Sequence, residues 1–327
     1  VKTLLITGGA GYIGSHIGCL LAQHGYRIVV LDSLVYGQSC NYRWAEFVYG
    51  DFGDKQLLDT IFTRYDIYAV IHCAASIEVG ASVRDPLAFY ENNVAKTITL
   101  LGSMLRHRVN TVLFSSSCAV FGTPKVLPLT ENHSFDPISP YGMTKYMMET
   151  IIKDMHNAYG LSYIIFRFFN AAGAWPEQGL REKHVPETHV IPLLLSAAQS
   201  REPFFIYGDK KPTSDGTCIR DFVHVLDIAY AHLLALSYLE CGGASNIFNL
   251  GTGRGVSVKE MVATVECVCS TKVKVVVTED RPGDPAILVA DPGHAQKILG
   301  WRSDHSALDE IIDSAYRSMY PSDLHVL

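Results

Sequence analysis

The sequence is short of the features that define several large classes of protein. Only 18% of its 327 residues are charged, and 33 acids against 27 Lys and Arg leave a formal net charge of −6. That balance excludes a general binder of nucleic-acid backbone, although a local basic pocket for a small phosphate stays open. There is no low-complexity tract and no internal repeat. The apolar run at residues 4–6 is too short for a signal peptide or a membrane span. No CxxC pair occurs among Cys19, Cys40, Cys73, Cys118, Cys218, Cys241, Cys267 and Cys269, so neither a zinc site nor a thioredoxin-type motif has support. A disulfide framework does not suit a core of this size. The expectation is a metal-free protein of the reducing cytoplasm, its thiols buried as small hydrophobes.

Apolar residues make up 48% of the chain, which fits a well-packed globular protein. Short apolar runs at 4–7, 27–32, 47–49, 69–72, 111–114 and 163–168 alternate with helical patterns at 12–23, 57–65, 92–106 and 141–159. The runs are continuous rather than alternating, as in parallel strands buried on both faces. The pattern predicts an α/β fold, a doubly wound parallel sheet of Rossmann type. After about residue 170 the loops lengthen and Pro, Gly and His become frequent. A smaller C-terminal α/β substrate domain over 170–327 is therefore expected behind a dinucleotide domain over 1–169, with segments near 218–236 and 246–251 returning to the large domain.

Between the first strand and first helix lies Thr7-Gly8-Gly9-Ala10-Gly11-Tyr12-Ile13-Gly14. Glycines at 8, 11 and 14 permit a tight turn and let a pyrophosphate approach bare N–H groups at a helix start. Asp32 ends the second strand, some two dozen residues beyond Gly8. A carboxylate there accepts from both ribose hydroxyls and repels a 2′-phosphate, favouring NAD over NADP. Asp51 follows the third strand, where it can meet the adenine amino group.

Tyr141 and Lys145 form YxxxK, with i,i+4 spacing on one helix face. A phenol titrates near about 10, and an adjacent ammonium is expected to lower it. A drop of about 2–3 units needs about 3–4 kcal/mol of differential interaction, expected from a partly desolvated pair together with a cofactor cation. Phe114-Ser115-Ser116-Ser117 closes a strand at the end where open α/β sheets bind ligands, so Ser117 can relay a proton between a sugar hydroxyl and Tyr141.

These motifs together resemble the extended short-chain dehydrogenase/reductase superfamily, and within it the UDP-galactose (UDP-glucose) 4-epimerases. The likeness continues through Asn92-Asn93-Val94, S-P-Y-G-M-T-K at 139–145, R-F-F-N at 167–170, the stretch 212–225, F-N-L-G-T-G at 248–253 and R-P-G-D at 281–284. The resemblance implies Tyr141 as proton acceptor, Lys145 as its partner and Ser117 as relay. It implies an NAD site of Gly8, Gly11, Tyr12, Ile13, Gly14, Asp32, Ser33, Asp51, Phe52, Cys73, Ala74, Ala75, Ile77, Asn92, Ser115, Tyr141, Lys145 and Phe168. It implies a UDP-sugar site of Ser117, Tyr141, Asn170, His189, Val190, Tyr207, Arg220, Arg281 and Asp284. Arginines suit a diphosphate through forked, charge-assisted bonds. The implied chemistry is transient oxidation at sugar carbon 4, rotation and re-reduction, in a homodimer paired through the Tyr141 helix.

The chain also departs from the pattern. Ile77 stands where many such epimerases carry a lysine, so one cation near the cofactor is missing and retention is expected to be weaker. Phe121 and Phe168 replace tyrosines, and the segment 184–192 lacks the paired asparagines of many galactose-type members. These features, and Leu288 of intermediate size near the sugar, keep UDP-arabinose, UDP-xylose and N-acetylated UDP-sugars open as substrates. A 4,6-dehydratase needs an Asp-Glu pair where this chain has Cys118-Ala119. Net oxidation or reduction with free cofactor is a further alternative. A dinucleotide-sensing regulator would not need the Tyr–Lys pair.

Overall fold

The computed structural model describes residues 1–35, 42–184, 186–281 and 284–321. Cys40, Val185, Pro282 and Gly283, which fall in the motifs above, lie outside the described residues. In the first half, β1 (Thr3–Thr7), α1 (Tyr12–Gln23), β2 (Arg27–Asp32), β3 (Ala45–Tyr49), α2 (Lys55–Arg64) and β4 (Ile67–His72) follow one another. Then come α3 (Val79–Arg84), α4 (Pro86–Phe89), a π-helical turn (Tyr90–Ala95), α5 (Lys96–Arg106), β5 (Thr111–Ser117), α6 (Pro140–Tyr159) and β6 (Ser162–Phe168). The strands join one parallel sheet in the order β3-β2-β1-β4-β5-β6, which reverses between β1 and β4 and opens a crevice at the carboxyl ends of the strands.

Successive side chains on a strand face opposite ways, and the core divides accordingly. Leu4, Ile6, Ile28, Val30 and Ile71 face Ile17 and Leu21 of α1. Leu5, Val29, Leu31, Val70 and Val112 face Leu58 and Ile61 of α2, Leu100 and Met104 of α5, and Met148 and Ile152 of α6. Both faces are covered, which is why the strands read as unbroken apolar runs.

The second half contributes β7 (Asn170–Ala172), α7 (Val190–Ser200), β8 (Phe204–Tyr207), β9 (Ile219–His224), α8 (Val225–Glu240), β10 (Asn246–Leu250), β11 (Gly255–Ser257) and α9 (Val258–Val268). It ends with β12 (Val275–Thr278), β13 (Ile287–Leu288), α10 (Gly293–Leu299) and α11 (Leu308–Met319). β10 adds to the large sheet beside β6, and α8 packs Ile228, Ala231 and Leu236 on the same face as α1. β9 is the hub of a second sheet, paired with β7, β11 and β13, and β8 pairs with β12. α7, α9 and α11 close over Phe204, Ile206 and Phe222 in a separate apolar core.

Two expectations need correction. The helix expected as one piece over 92–106 opens with the π-helical turn. Asn93, fully buried there, bonds to Ser76 and to Thr144, so Asn92 and Lys96 are left to line the crevice. The thiols are not uniformly buried: Cys19 and Cys218 are, but Cys241 and Cys267 are exposed at helix ends where no core reaches them. Among the described residues no helix is long and apolar enough to cross a membrane.

Candidate active site

The turn between β1 and α1 leaves no room for side chains. Gly8 has φ +70°, and a Cβ there would stand 2.6 Å from the Ala74 nitrogen; at Gly14 it would meet the Gly8 oxygen at 2.4 Å. No side chain caps α1 at Gly11 and no acid lies in its first turn. Its unsatisfied N–H groups and positive dipole end therefore face the crevice, a cradle suited to a pyrophosphate. The crevice is a cleft of about 590 Å³.

Asp32 lies at its edge with both carboxylate oxygens held in place, one by the Ala10 N–H (2.9 Å), the other by the Leu34 N–H (2.8 Å). Each oxygen keeps lone pairs for a ribose. Asp51 accepts from the Gly53 N–H at 2.7 Å and pairs with Lys96 Nζ at 2.5 Å, which also donates to Asn92 at 2.9 Å. Lys96 was not expected from sequence, although its i,i+4 relation to Asn92 is a usable signal.

At the other end of the cleft, α6 begins where Ser139 accepts from the Gly142 N–H (3.1 Å) and Pro140 occupies the first turn. That start places Tyr141 in the first turn, at the cleft beside Ser117. Lys145, one turn on, is buried; its Nζ donates to the Ser115 carbonyl at 2.7 Å and stands 5.9 Å from the Tyr141 ring centre. Behind it Glu149 is fully buried, accepting from Ser116 (2.6 Å) and, through both oxygens, from Arg167 (3.0 and 2.8 Å). This pair ties α6 to β5 and β6.

The chain's own residues work against a lowered phenol. Burial pushes the Tyr141 phenol up to about 12, and the hydrogen-bonding Ser117 pulls it back only in part. Desolvation brings Lys145 down to about 8, opposed by Cys73 and Glu149. The chain's own residues therefore leave the phenol protonated, because the cost of burying a phenolate exceeds what an ammonium at that distance returns.

Most expected residues meet in this cleft: Gly8, Gly11, Tyr12, Ile13, Gly14, Asp32, Ser33, Asp51, Phe52, Cys73, Ala74, Ala75, Ile77, Asn92, Ser117, Tyr141, Phe168, Asn170 and His189 line it. Ser115 and Lys145 lie behind the wall. His189 and Val190 also border a smaller neighbouring hollow with Asn170. Tyr207, Arg220, Arg281 and Asp284 form a separate cluster around β8 and β9. There Arg220 pairs with Asp284 and donates to the Pro285 carbonyl (2.7 Å), and the Arg281 guanidinium lies 3.8 Å over the Tyr207 ring. Lys211, unforeseen, donates to the Asp284 carbonyl at 3.0 Å.

His189 sits between Glu182 (3.0 Å) and Glu187 (2.8 Å). The potential ligand atoms of this trio lie within 4.8 Å of one another. Its hydrogen bonds to the two carboxylates hold the imidazole protonated up to about 10 against the opposing effect of burial. The protonated ring is matched by the two carboxylates that flank it. His189 and Glu182 of this trio line the cleft.

Residues 4–251 match the model of the NAD dependent epimerase/dehydratase family. A UDP-glucose 4-epimerase of Halalkalibacterium halodurans is 45% identical over 314 residues, covering 96% of this chain and 94% of its own. The UDP-glucose 4-epimerase of Brucella ovis, solved in complex with NAD, superposes with a TM-score of 0.93 at 45% identity over 97% of this chain and 98% of that one. That of Bifidobacterium longum, solved with NAD+ and UDP, gives a TM-score of 0.93 at 32% identity, covering 98% of this chain and 99% of that one. An uncapped glycine turn facing a placed Asp32, with Tyr141 at the far end of the same cleft and Lys145 buried behind it, agrees with these matches along nearly the whole chain, which belongs to the NAD dependent epimerase/dehydratase family.

Proposed function

We propose that the chain is an NAD-dependent UDP-sugar 4-epimerase of the UDP-glucose/UDP-galactose type. The observation that carries this reading is the placement of Tyr141 and Ser117 at one end of a cleft whose other end is the glycine turn and Asp32. In this reading the α1 N-terminus holds the pyrophosphate, Asp32 the adenosine ribose, and Asp51 and Phe52 the adenine side. Residues 1–169 with α8 and β10 form the dinucleotide part, and the remainder of the second half holds the nucleotide sugar.

Tyr141 Oη takes the proton of the sugar's carbon-4 hydroxyl, with Ser117 as the hydroxyl relay, and later returns it. Lys145 supplies positive charge behind the phenol and is fixed in place by the Ser115 carbonyl. When bound, NAD supplies a hydride acceptor and donor at carbon 4, so the reaction is redox-neutral overall and inverts that carbon if the sugar presents its other face between transfers. Arg220 and Arg281 release their partners in the second cluster to hold the UDP diphosphate.

Leu288 packs beside Phe121 and Phe169, so the sugar end is walled by apolar side chains of intermediate bulk. The subunit pairs with a second copy through the helices around α6. Met147 is exposed there, while Met148 and Ile152 turn to the sheet, and Leu87 and Ile98 expose further apolar surface. The test is incubation of the NAD-loaded protein with UDP-glucose, UDP-galactose, UDP-N-acetylgalactosamine and UDP-arabinose, with the 4-epimers resolved by chromatography. Interconversion of the first two is expected. No epimer from any of them, with NAD bound, overturns the assignment.

A further inference from the structure

Residues 173–184 start beside the N-terminal end of α1, turn back at 176–179 through the antiparallel bridge between Trp175 and Leu180, and return toward that end. Gln178 meets Cys19 (3.7 Å) and Leu180 lies at His16, while the Tyr12 hydroxyl donates to the Gly173 carbonyl (2.6 Å). Contacts at helix positions 19 and 16 are spaced by about one turn, so the returning arm of the strap climbs the helix toward its N-terminal end. Its next residues pass the end of α1 and cross the cleft, where His184 reaches Glu78 at the start of α3 (3.6 Å). The strap therefore bridges the cleft over the position facing the uncapped first turn of α1.

The cationic side chains lining the cleft can be assigned one by one. Lys96 is engaged by Asp51 and Asn92, His189 by Glu182 and Glu187, and His184 faces Glu78. Ile77 on the opposing wall brings no charge. Arg181 and Lys183 remain: both line the cleft, both are half-buried, and among the described residues neither has a hydrogen-bond or ion-pair partner. Half-buried cations left unpaired on a cleft wall are matched to an anionic ligand.

We infer that the strap is a clamp on the cofactor, in which Lys183, assisted by Arg181, holds the dinucleotide pyrophosphate from the side opposite the α1 N-terminus. The inference rests on reading the cleft as the NAD site. It makes retention of the cofactor depend on a segment of the second half of the chain, closing from α1 to α3.

The test uses the full chain and ligands that carry or lack the phosphates. Lys183→Met keeps the apolar stem and removes the charge. It should weaken ADP-ribose by about tenfold, the loss of one charge-assisted bond, and leave adenosine unchanged. The salt dependence of ADP-ribose binding should become shallower, and NAD content after gel filtration should fall. Arg181→Ala should show the same pattern. Unchanged ADP-ribose affinity in Lys183→Met overturns the clamp. So does a loss confined to UDP, which would give the charge to the nucleotide sugar instead. Asp32→Ala separates the two readings. It should weaken adenosine and ADP-ribose alike, and if it weakens neither, the NAD site itself is misplaced.

Discussion

Replacing Lys145 with alanine tests how the phenol is activated. The phenol is pushed up to about 12 by burial, and bringing it to neutrality takes about 5 units, roughly 7 kcal/mol. A unit charge 5.9 Å away, at an effective dielectric constant of about 20, contributes about 3 kcal/mol, or about 2 units. Lys145 thus supplies less than half, and, because the value of about 12 already includes the Ser117 hydrogen bond, the rest would fall to the positive charge that NAD+ would bring when bound. In Lys145→Ala the rising limb of the kcat–pH profile should move up by about 2 units, because a phenol must lose its proton to act and the phenolate is now less favoured. At neutral pH this is a loss of about 100-fold. The deficit should narrow as pH rises through the shifted limb, where the variant's phenol ionises unaided. The assay is chromatographic quantification of the epimer across pH with NAD occupancy checked at each point. A loss of the same size at every pH would show that Lys145 acts only by holding β5 against α6, and would refute the electrostatic argument.

Tyr141→Phe should lose turnover by orders of magnitude while retaining NAD, read as bound-cofactor absorbance beside product formation. Near-normal turnover would remove the phenol from the mechanism. Arg220→Ala should weaken UDP by about tenfold or more in calorimetry without changing adenosine affinity; intact UDP affinity would misplace the diphosphate anchor. Acid should unfold the protein steeply. Burial lowers His16 and His232 to about 4 and His72 and His224 to about 3, below the value near 6.5 expected in the unfolded chain. Unfolding then takes up protons, so this contribution is present above about pH 6.5 and is lost as pH falls toward the folded values. Asp227, raised to about 6, takes up one proton in the folded state and offsets part of the loss. A net uptake of about three protons gives a slope on the order of 4 kcal/mol per pH unit near pH 5. A melting temperature flat between about pH 6.5 and 4.5 would contradict the burial of these rings.

The parts of the site legible in the sequence are those whose chemistry is local. Gly8, Gly11 and Gly14 announce a turn because no side chain fits there, and Asp32 reads as the proposed ribose acceptor because it ends a buried strand beside that turn. Tyr141 and Lys145 are one helical turn apart in any α-helix. What stayed hidden depends on distance in space. Burial raises the Tyr141 phenol, yet depth cannot be read from YxxxK alone, so the expected lowering would rest on Lys145 and the cofactor cation together. Glu149 and Arg167 belong to a helix and a strand whose approach only the fold decides, and the buried pair they form was not anticipated. The same holds for β8, β9 and β12, short strands whose mixed burial gives weak periodicity among long loops. The strap is the sharpest case. Its composition, Leu180-Arg181-Glu182-Lys183-His184, reads as an ordinary polar loop. Only its path on α1, with Gln178 at Cys19 and Leu180 at His16, brings Lys183 to the cleft wall, where the proposed clamp would meet a pyrophosphate. A charge without a partner in the sequence is unremarkable, but a half-buried charge without one on a cleft wall is a statement about the ligand.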